Sequence, residues 1–130
     1  MTITEIVDTT YKNWQEGISE LIDENNCSME EKDVISKFPY ARLYFMGLPG
    51  GSYDLEGNEG AVTPTVQIDI YTNGQNALLK AYRIDKKSHE AMLGMGYRRT
   101  YGPELTQNVD PTVKRLLSRY SRKIGYGDLL

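Results

Sequence analysis

The sequence predicts an α+β fold, a mostly antiparallel sheet with two main helices packed on one face. Three observations predict it: two stretches with apolar residues at helical spacing, a stretch of strict alternation between them, and the order in which these elements follow one another. In the first helical stretch Ile3, Val7, Tyr11, Trp14, Ile18 and Leu21 recur every three or four residues with polar side chains between them. Thr2, three residues before Glu5, fits a capping box, and Asn25 with Asn26 is a reasonable stop. A short further helical turn can begin at Ser28, but Pro39 ends it, because proline disfavours helical geometry in the residue before it.

Residues 40–46 are aromatic and apolar and predict a strand. Residues 47–60 hold five glycines and a proline and lose all periodicity, which predicts a long loop of functional weight. Alternation returns between Val62 and Thr72. Val66, Ile68 and Ile70 share one face, and Gln67, Asp69 and Tyr71 the other, expected to meet solvent. Asn73 and Gly74 end that strand and are expected to cap the second helix. Its stripe is Ala77, Leu78, Ala81, Ile84, Ser88, Ala91, Met92 and Met95, with Gly94 and Gly96 as its stop. Tyr97 to Thr106 predicts a polar strand interrupted at Gly102 and Pro103. The last segment, 112–124, stays open on its own pattern: Asp110 and Pro111 followed by Val113, Leu116, Leu117, Tyr120 and Ile124 favour a helix over a less regular strand.

The 130 residues suit one domain, 1–130, with one core. No run approaches the roughly 18 apolar residues of a membrane span, and the first residues lack the basic-then-apolar order of a signal peptide. A soluble chain made and kept in the cytoplasm, without membrane contact, is the expectation. The net charge of −3 hides an asymmetry, for residues 1–60 carry 12 acidic and 4 basic side chains, and residues 61–130 carry 6 acidic and 11 basic ones. Such a split suits nucleic-acid contact by the basic half, or association in which the acidic part of one copy meets the basic part of the next.

The sequence assembles no catalytic signature. Cys27 has no companion at disulfide or zinc-ligand spacing. His89, the one histidine, lies among Asp85, Lys86, Lys87 and Glu90 and reads as an exposed helix residue, with no nucleophile in its vicinity to activate. Residues 54–60 begin like a calcium loop, yet the turn glycine is displaced to Gly60 and the closing bidentate position falls on Thr65. Gly47 to Ser52 lacks the lysine of a phosphate-binding loop. Neither catalytic residues nor a cofactor nor a metal is expected, and a small hydrolase using Asp69 and the acids of 54–59 ranks last. The run 114–123 carries five positive charges and no acid, with Tyr120 interleaved. A sequence pI near 5.2 argues against an autonomous nucleic-acid-binding module built on it.

Taken in order, these stretches resemble the tail terminator (tail-completion) proteins of siphophages. The parts that carry the resemblance are the strand Gln67 to Tyr71, the turn Gly96 to Arg99 and the run Arg119 to Arg122, together with the helix before them, Phe38-Pro39-Tyr40 and the glycine-rich acidic loop. The resemblance spans nearly the whole chain and implies a structural protein, not an enzyme. It implies a subunit of a hexameric ring that caps the head-proximal end of the tail tube, docks on the head-completion (stopper) protein of the neck, and lets DNA pass through its lumen. It also implies a virion location after assembly in the host cytoplasm, and a strand for 112–124, the reading preferred here over the local helix pattern. The loop residues Leu48, Gly50, Gly51, Tyr53, Asp54, Glu56 and Glu59 are expected to reach the tube or a neighbouring subunit. The acids Glu16, Glu20 and Asp23 are expected to face Arg98, Arg99, Arg115 or Arg119 of the next copy. A head-completion stopper or adaptor is the nearest alternative, followed by a small nucleic-acid-binding module.

Overall fold

A computed structural model describes residues 1–31, 35–48, 50–53, 59–125 and 127–130, with 50–53, 59 and 60 described through their backbone. Helix α1 spans Ile3–Gly17 and α2 spans Ala77–Gly94. A five-stranded sheet has the order β1-β2-β5-β7-β6, made of β1 Cys27–Ser28, β2 Tyr40–Gly47, β5 Thr65–Thr72, β7 Lys114–Ser121 and β6 Arg98–Thr106. Every neighbouring pair in it is antiparallel except β1 with β2. A smaller sheet joins β3 Gly50–Tyr53, β4 Glu59–Val62 and β8 Ile124–Gly125. The architecture is thus the α+β arrangement that the sequence predicts.

Register explains which face is covered. Ala41 pairs with Ile70, Leu43 with Ile68 and Phe45 with Val66, while across the next ladder Ile70 meets Leu116, Ile68 meets Ser118 and Val66 meets Tyr120. Because strand side chains alternate, all of these share one face. That face forms the main core with Trp14, Ile18, Ala81, Ile84 and Met92 from the helical side. Both helices therefore lie on one side of the sheet. A second cluster, Ile6, Val62 and Ile124, with Phe45, Leu48 and Leu130 packed against it, ties the start of α1 to the smaller sheet.

The capping box is present: Glu5 N donates to Thr2 Oγ1 at 3.2 Å and Thr2 N to Glu5 Oε2 at 3.0 Å. The helix ends at Gly17, earlier than expected, and its buried line is Ile6, Thr10, Trp14 and then Ile18 and Ile22, leaving Ile3 and Leu21 exposed. A hydroxyl pair moves the stripe, since Thr10 Oγ1 meets Tyr97 Oη at 2.8 Å inside the core. Trp14 Nε1 likewise donates to Ser88 Oγ at 2.9 Å, joining the helices. Where they cross, a Cβ on Gly17 would stand 2.6 Å from Ala91 Cβ, so only glycine lets them approach this closely.

Three expectations about the strands and the second helix change. Residues 47–60 are not one long loop, because Gly50–Tyr53 and Glu59–Val62 pair as an antiparallel hairpin. Backbone pairing needs no side-chain alternation, and glycines leave that signal blank. Strand 62–72 divides at Pro64, with Val62 in the hairpin and β5 beginning at Thr65. The cap of α2 is Asn76, in the left-handed region at φ 59°, and not Asn73 or Gly74. Residues 114–121 form a strand between β5 and β6, the reading preferred over the local helical spacing and the one the resemblance implies.

Candidate functional site: the uncovered sheet face

The side of the large sheet opposite the helices carries a grid of polar and aromatic side chains whose rows follow from the register. Tyr44, Gln67, Arg119 and Tyr101 stand side by side across β2, β5, β7 and β6. The next row is Arg42, Asp69, Leu117 and Glu104, and the third is Tyr40, Tyr71, Arg115 and Thr106. Among the described residues both α1 and α2 pack on the other face, although Tyr40, Arg42, Gln67, Asp69 and Leu117 of the grid are themselves buried.

Asp69 is the centre. Its side chain, expected at solvent, is fully buried, which reverses the sequence reading. Arg42 Nη2 donates to Oδ2 at 2.7 Å, and Arg115 donates to Oδ1 through Nη2 at 3.1 Å and Nε at 3.3 Å. A buried carboxylate is tolerable only when paired in this way. Gln67 Nε2 adds a donor at 3.2 Å, and its Oε1 in turn accepts from Arg119 Nε at 3.1 Å, so one amide links the acid to a third arginine.

Each of those arginines also lies over a tyrosine ring. The guanidinium of Arg42 is 4.2 Å from the centre of Tyr44, that of Arg119 5.1 Å from Tyr101 and that of Arg115 5.6 Å from Tyr71. A cation–π contact plus a fixed acceptor restrains each guanidinium. Burial works against the charge of Arg42, but the bond to Asp69 and its negative charge outweigh this and raise the Arg42 pKa above its usual value. Burial and the charge of Asp69 push the Tyr44 and Tyr71 phenols up, although the arginines pull them down. At pH 7 Tyr44 and Tyr71 are therefore protonated and Arg42 is charged.

A second polar cluster lies on the covered face. Arg99 donates through Nη2 to Asp85 Oδ1 at 2.8 Å and through Nε to Tyr120 Oη at 3.0 Å. Ser118 Oγ reaches Asp85 at 3.3 Å, and His89 Nδ1 meets Tyr120 Oη at 3.0 Å. His89 is thus half-buried against a tyrosine rather than exposed. Burial raises the Tyr120 phenol to about 12, so it stays protonated. These bonds fasten α2 to β6 and β7. Among the described residues no group of three or more His, Cys, Asp and Glu side chains is placed to hold a metal ion.

The other expected contact residues fall as follows. Arg98 is exposed at the edge of the uncovered face, opposite Ser121. Arg99 is committed inside the chain to Asp85, whereas Arg115 and Arg119 belong to the grid. Glu16, Glu20 and Asp23 are exposed at the end of α1 and just beyond it, and Asp23 Oδ1 accepts from Asn25 N at 2.8 Å. Leu48 is half-buried at the second cluster, Gly50, Gly51 and Tyr53 lie on β3, and Glu59 on β4. Asp54 and Glu56 lie outside the described residues. Cys27, half-buried, donates to the Asp23 carbonyl at 3.7 Å. An open groove of about 750 Å³ at the start of α2 is lined by Leu78, Leu79, Tyr82, Pro111 and Lys114.

Arg42, Tyr44 and Tyr101 were missed as site residues. The signal for Arg42 was a lone cation in an otherwise apolar strand, one side-chain period from Tyr40 and Tyr44 and so on the same face as both. Compared with known proteins, the chain matches no protein-family model and no curated sequence.

Proposed function

We propose that this chain is a structural ring subunit of a tailed bacteriophage, a tail terminator that caps the head-proximal end of the tail tube and joins it to the neck. The observation that carries this reading is the strand β7. The resemblance implies a strand where local periodicity favours a helix, and the chain has one, with Arg115 and Arg119 held on an uncovered sheet face. A fixed grid of cations and tyrosines on a helix-free face is chemistry for holding another macromolecule. The hairpin β3–β4, built off the ends of β2 and β5, gives the subunit an arm for a further contact, and the groove at α2 offers an apolar surface of different character.

Imaging of the purified protein by negative stain, with and without isolated tail tubes, tests the proposal. Six-fold rings, free or seated at one tube end, are expected; a dispersed monomer indifferent to tubes overturns it. A head-completion stopper shares the size and ring symmetry, and complementation separates the two. Phage that make overlong tubes for want of a terminator are rescued by this chain under the present reading and not under the alternative.

The same arginine and tyrosine grid supports a second reading, a small nucleic-acid-binding module. Tight and steeply salt-dependent binding of DNA by the isolated monomer would favour it.

A further inference from the structure

We propose that the uncovered sheet face of one copy receives the acidic segment 16–24, at and just beyond the end of α1, from the next copy. This contact rests on the ring-subunit reading and assigns the surfaces that build the ring.

Residues 16–24 contain Glu16, Glu20, Asp23 and Glu24 and no basic side chain. All four are exposed, and none takes part in an ion pair among the described residues; the nearby Lys12 is engaged by Asp8 at 3.0 Å. Ile18 and Ile22, both buried, pin this stretch to the core and leave the acids outside it. Four like charges so close together repel one another until a cation arrives.

The uncovered face supplies that cation. Arg42, Arg98, Arg115 and Arg119 stand against Asp69 and Glu104, a surplus of two positive charges. Three of the four arginines are already ordered by Asp69, Gln67 and the tyrosine rings, so a partner need not meet the entropy cost of fixing them. Tyr101, 43% exposed, and Tyr44 add apolar area beside the charges.

Placement makes the contact heterologous. The helix α1 packs on one face of the sheet, and the arginines stand on the other. Acidic and basic surfaces on opposite sides of the same layer meet front to back, copy after copy, and such contacts close into a ring when the rotation permits. Nucleic acid suits the face less well. A polyphosphate meets two carboxylates within the grid and a chain of net charge −3 around it.

Cysteine cross-linking tests the contact without touching its charges. In a Cys27→Ser background, one chain carries Ser19→Cys, exposed between the acids, and another carries Thr106→Cys, half-buried on the sheet face beside Arg115. Under mild oxidation, with tail tubes present, the mixture is expected to give a disulfide dimer that neither chain gives alone. A chain carrying both substitutions is expected to give a ladder of cross-linked products. The yield should fall about threefold or more between roughly 50 and 500 mM NaCl, because the attraction is screened. Rings on tubes without the mixed cross-link overturn this contact and leave the ring-subunit reading standing, whereas absence of rings in every condition removes both. Self-cross-linking of the Ser19→Cys chain overturns the contact by showing α1 against α1. Loss of the cross-link on adding duplex DNA at low salt assigns the face to nucleic acid and overturns it as well.

Discussion

Arg42 Nη2 lies 2.7 Å from Asp69 Oδ2 across the β2–β5 ladder, with the carboxylate fully buried and only a tenth of the arginine side chain exposed. The pair serves the stability of the sheet and, under the proposed function, the contact that its outer face makes. It satisfies a charge that the sheet buries, and it fixes one of the cations that the uncovered face presents. Asp69→Ala leaves Arg42 and Arg115 without their shared acceptor and is expected to lower unfolding free energy by about 3–5 kcal/mol. Urea unfolding followed by the fluorescence of Trp14, the single tryptophan, measures this. Replacing Arg42, Asp69 and Arg115 together by Met, Leu and Met is expected to recover most of the loss, since no charge is then stranded. Ring assembly should stay defective in that triple variant, which separates the two roles.

Gly17 is where α1 meets α2. A methyl group there would sit 2.6 Å from Ala91 Cβ, nearer than side-chain atoms approach, so the helices must move apart. Gly17→Ala is expected to cost about 1–3 kcal/mol, although alanine is the better helix former. Ala91→Gly in the same chain should relieve the clash and restore most of the stability, which thermal unfolding of the single and double variants checks.

Most of the fold was legible because its elements differ in period. Alternation at 66–71 and the stripe from Ala77 to Met95 each announce one face, and the register then places Val66, Ile68 and Ile70 under the helices. What escaped was whatever breaks the link between polarity and exposure. Asp69 sits in an alternating strand like any solvent-facing residue, and nothing local shows that two arginines from strands 27 and 46 positions away close over it. Thr10 and Asp85 are polar residues on buried helix faces for the same reason, each paired across the fold. The glycine-rich hairpin escaped because glycine has no side chain to alternate. Spacing alone left 113–124 open, because Leu116 and Tyr120 fit a strand face as well as a helix stripe.

Trp14 and Ser88 lock the two helices by a single bond in a dry environment. Trp14→Phe keeps an aromatic ring in the core but strands the Ser88 hydroxyl, which is 1% exposed. The expected loss is about 1–3 kcal/mol, read by circular dichroism since the fluorophore is gone. Adding Ser88→Ala should cost little more, because the stranded hydroxyl goes with it; a second loss as large as the first would count against the bond as the cause.

The last expectation concerns alkaline pH. Burial, then the charges of Asp23 and Glu24, raise the Cys27 thiol from 9.0 to about 12, and burial likewise raises the Tyr11 and Tyr120 phenols from 10.0 to about 12. All three groups hold their protons more tightly when folded. Their contribution is therefore complete below pH 9 and is lost as pH rises from the unfolded values toward 12. Stability should stay level in this respect up to pH 9 and then decline, the opposite of the acid-side loss that depressed carboxylates produce. The same shift slows alkylation. At pH 8 the folded thiol should hold far less thiolate than an ordinary cysteine, and although a thiolate of higher pKa is the stronger nucleophile, iodoacetamide should modify Cys27 at least about tenfold more slowly in native protein than in urea. Mass spectrometry of timed, quenched samples measures both rates, and near-equal values would show that the thiol is not held protonated.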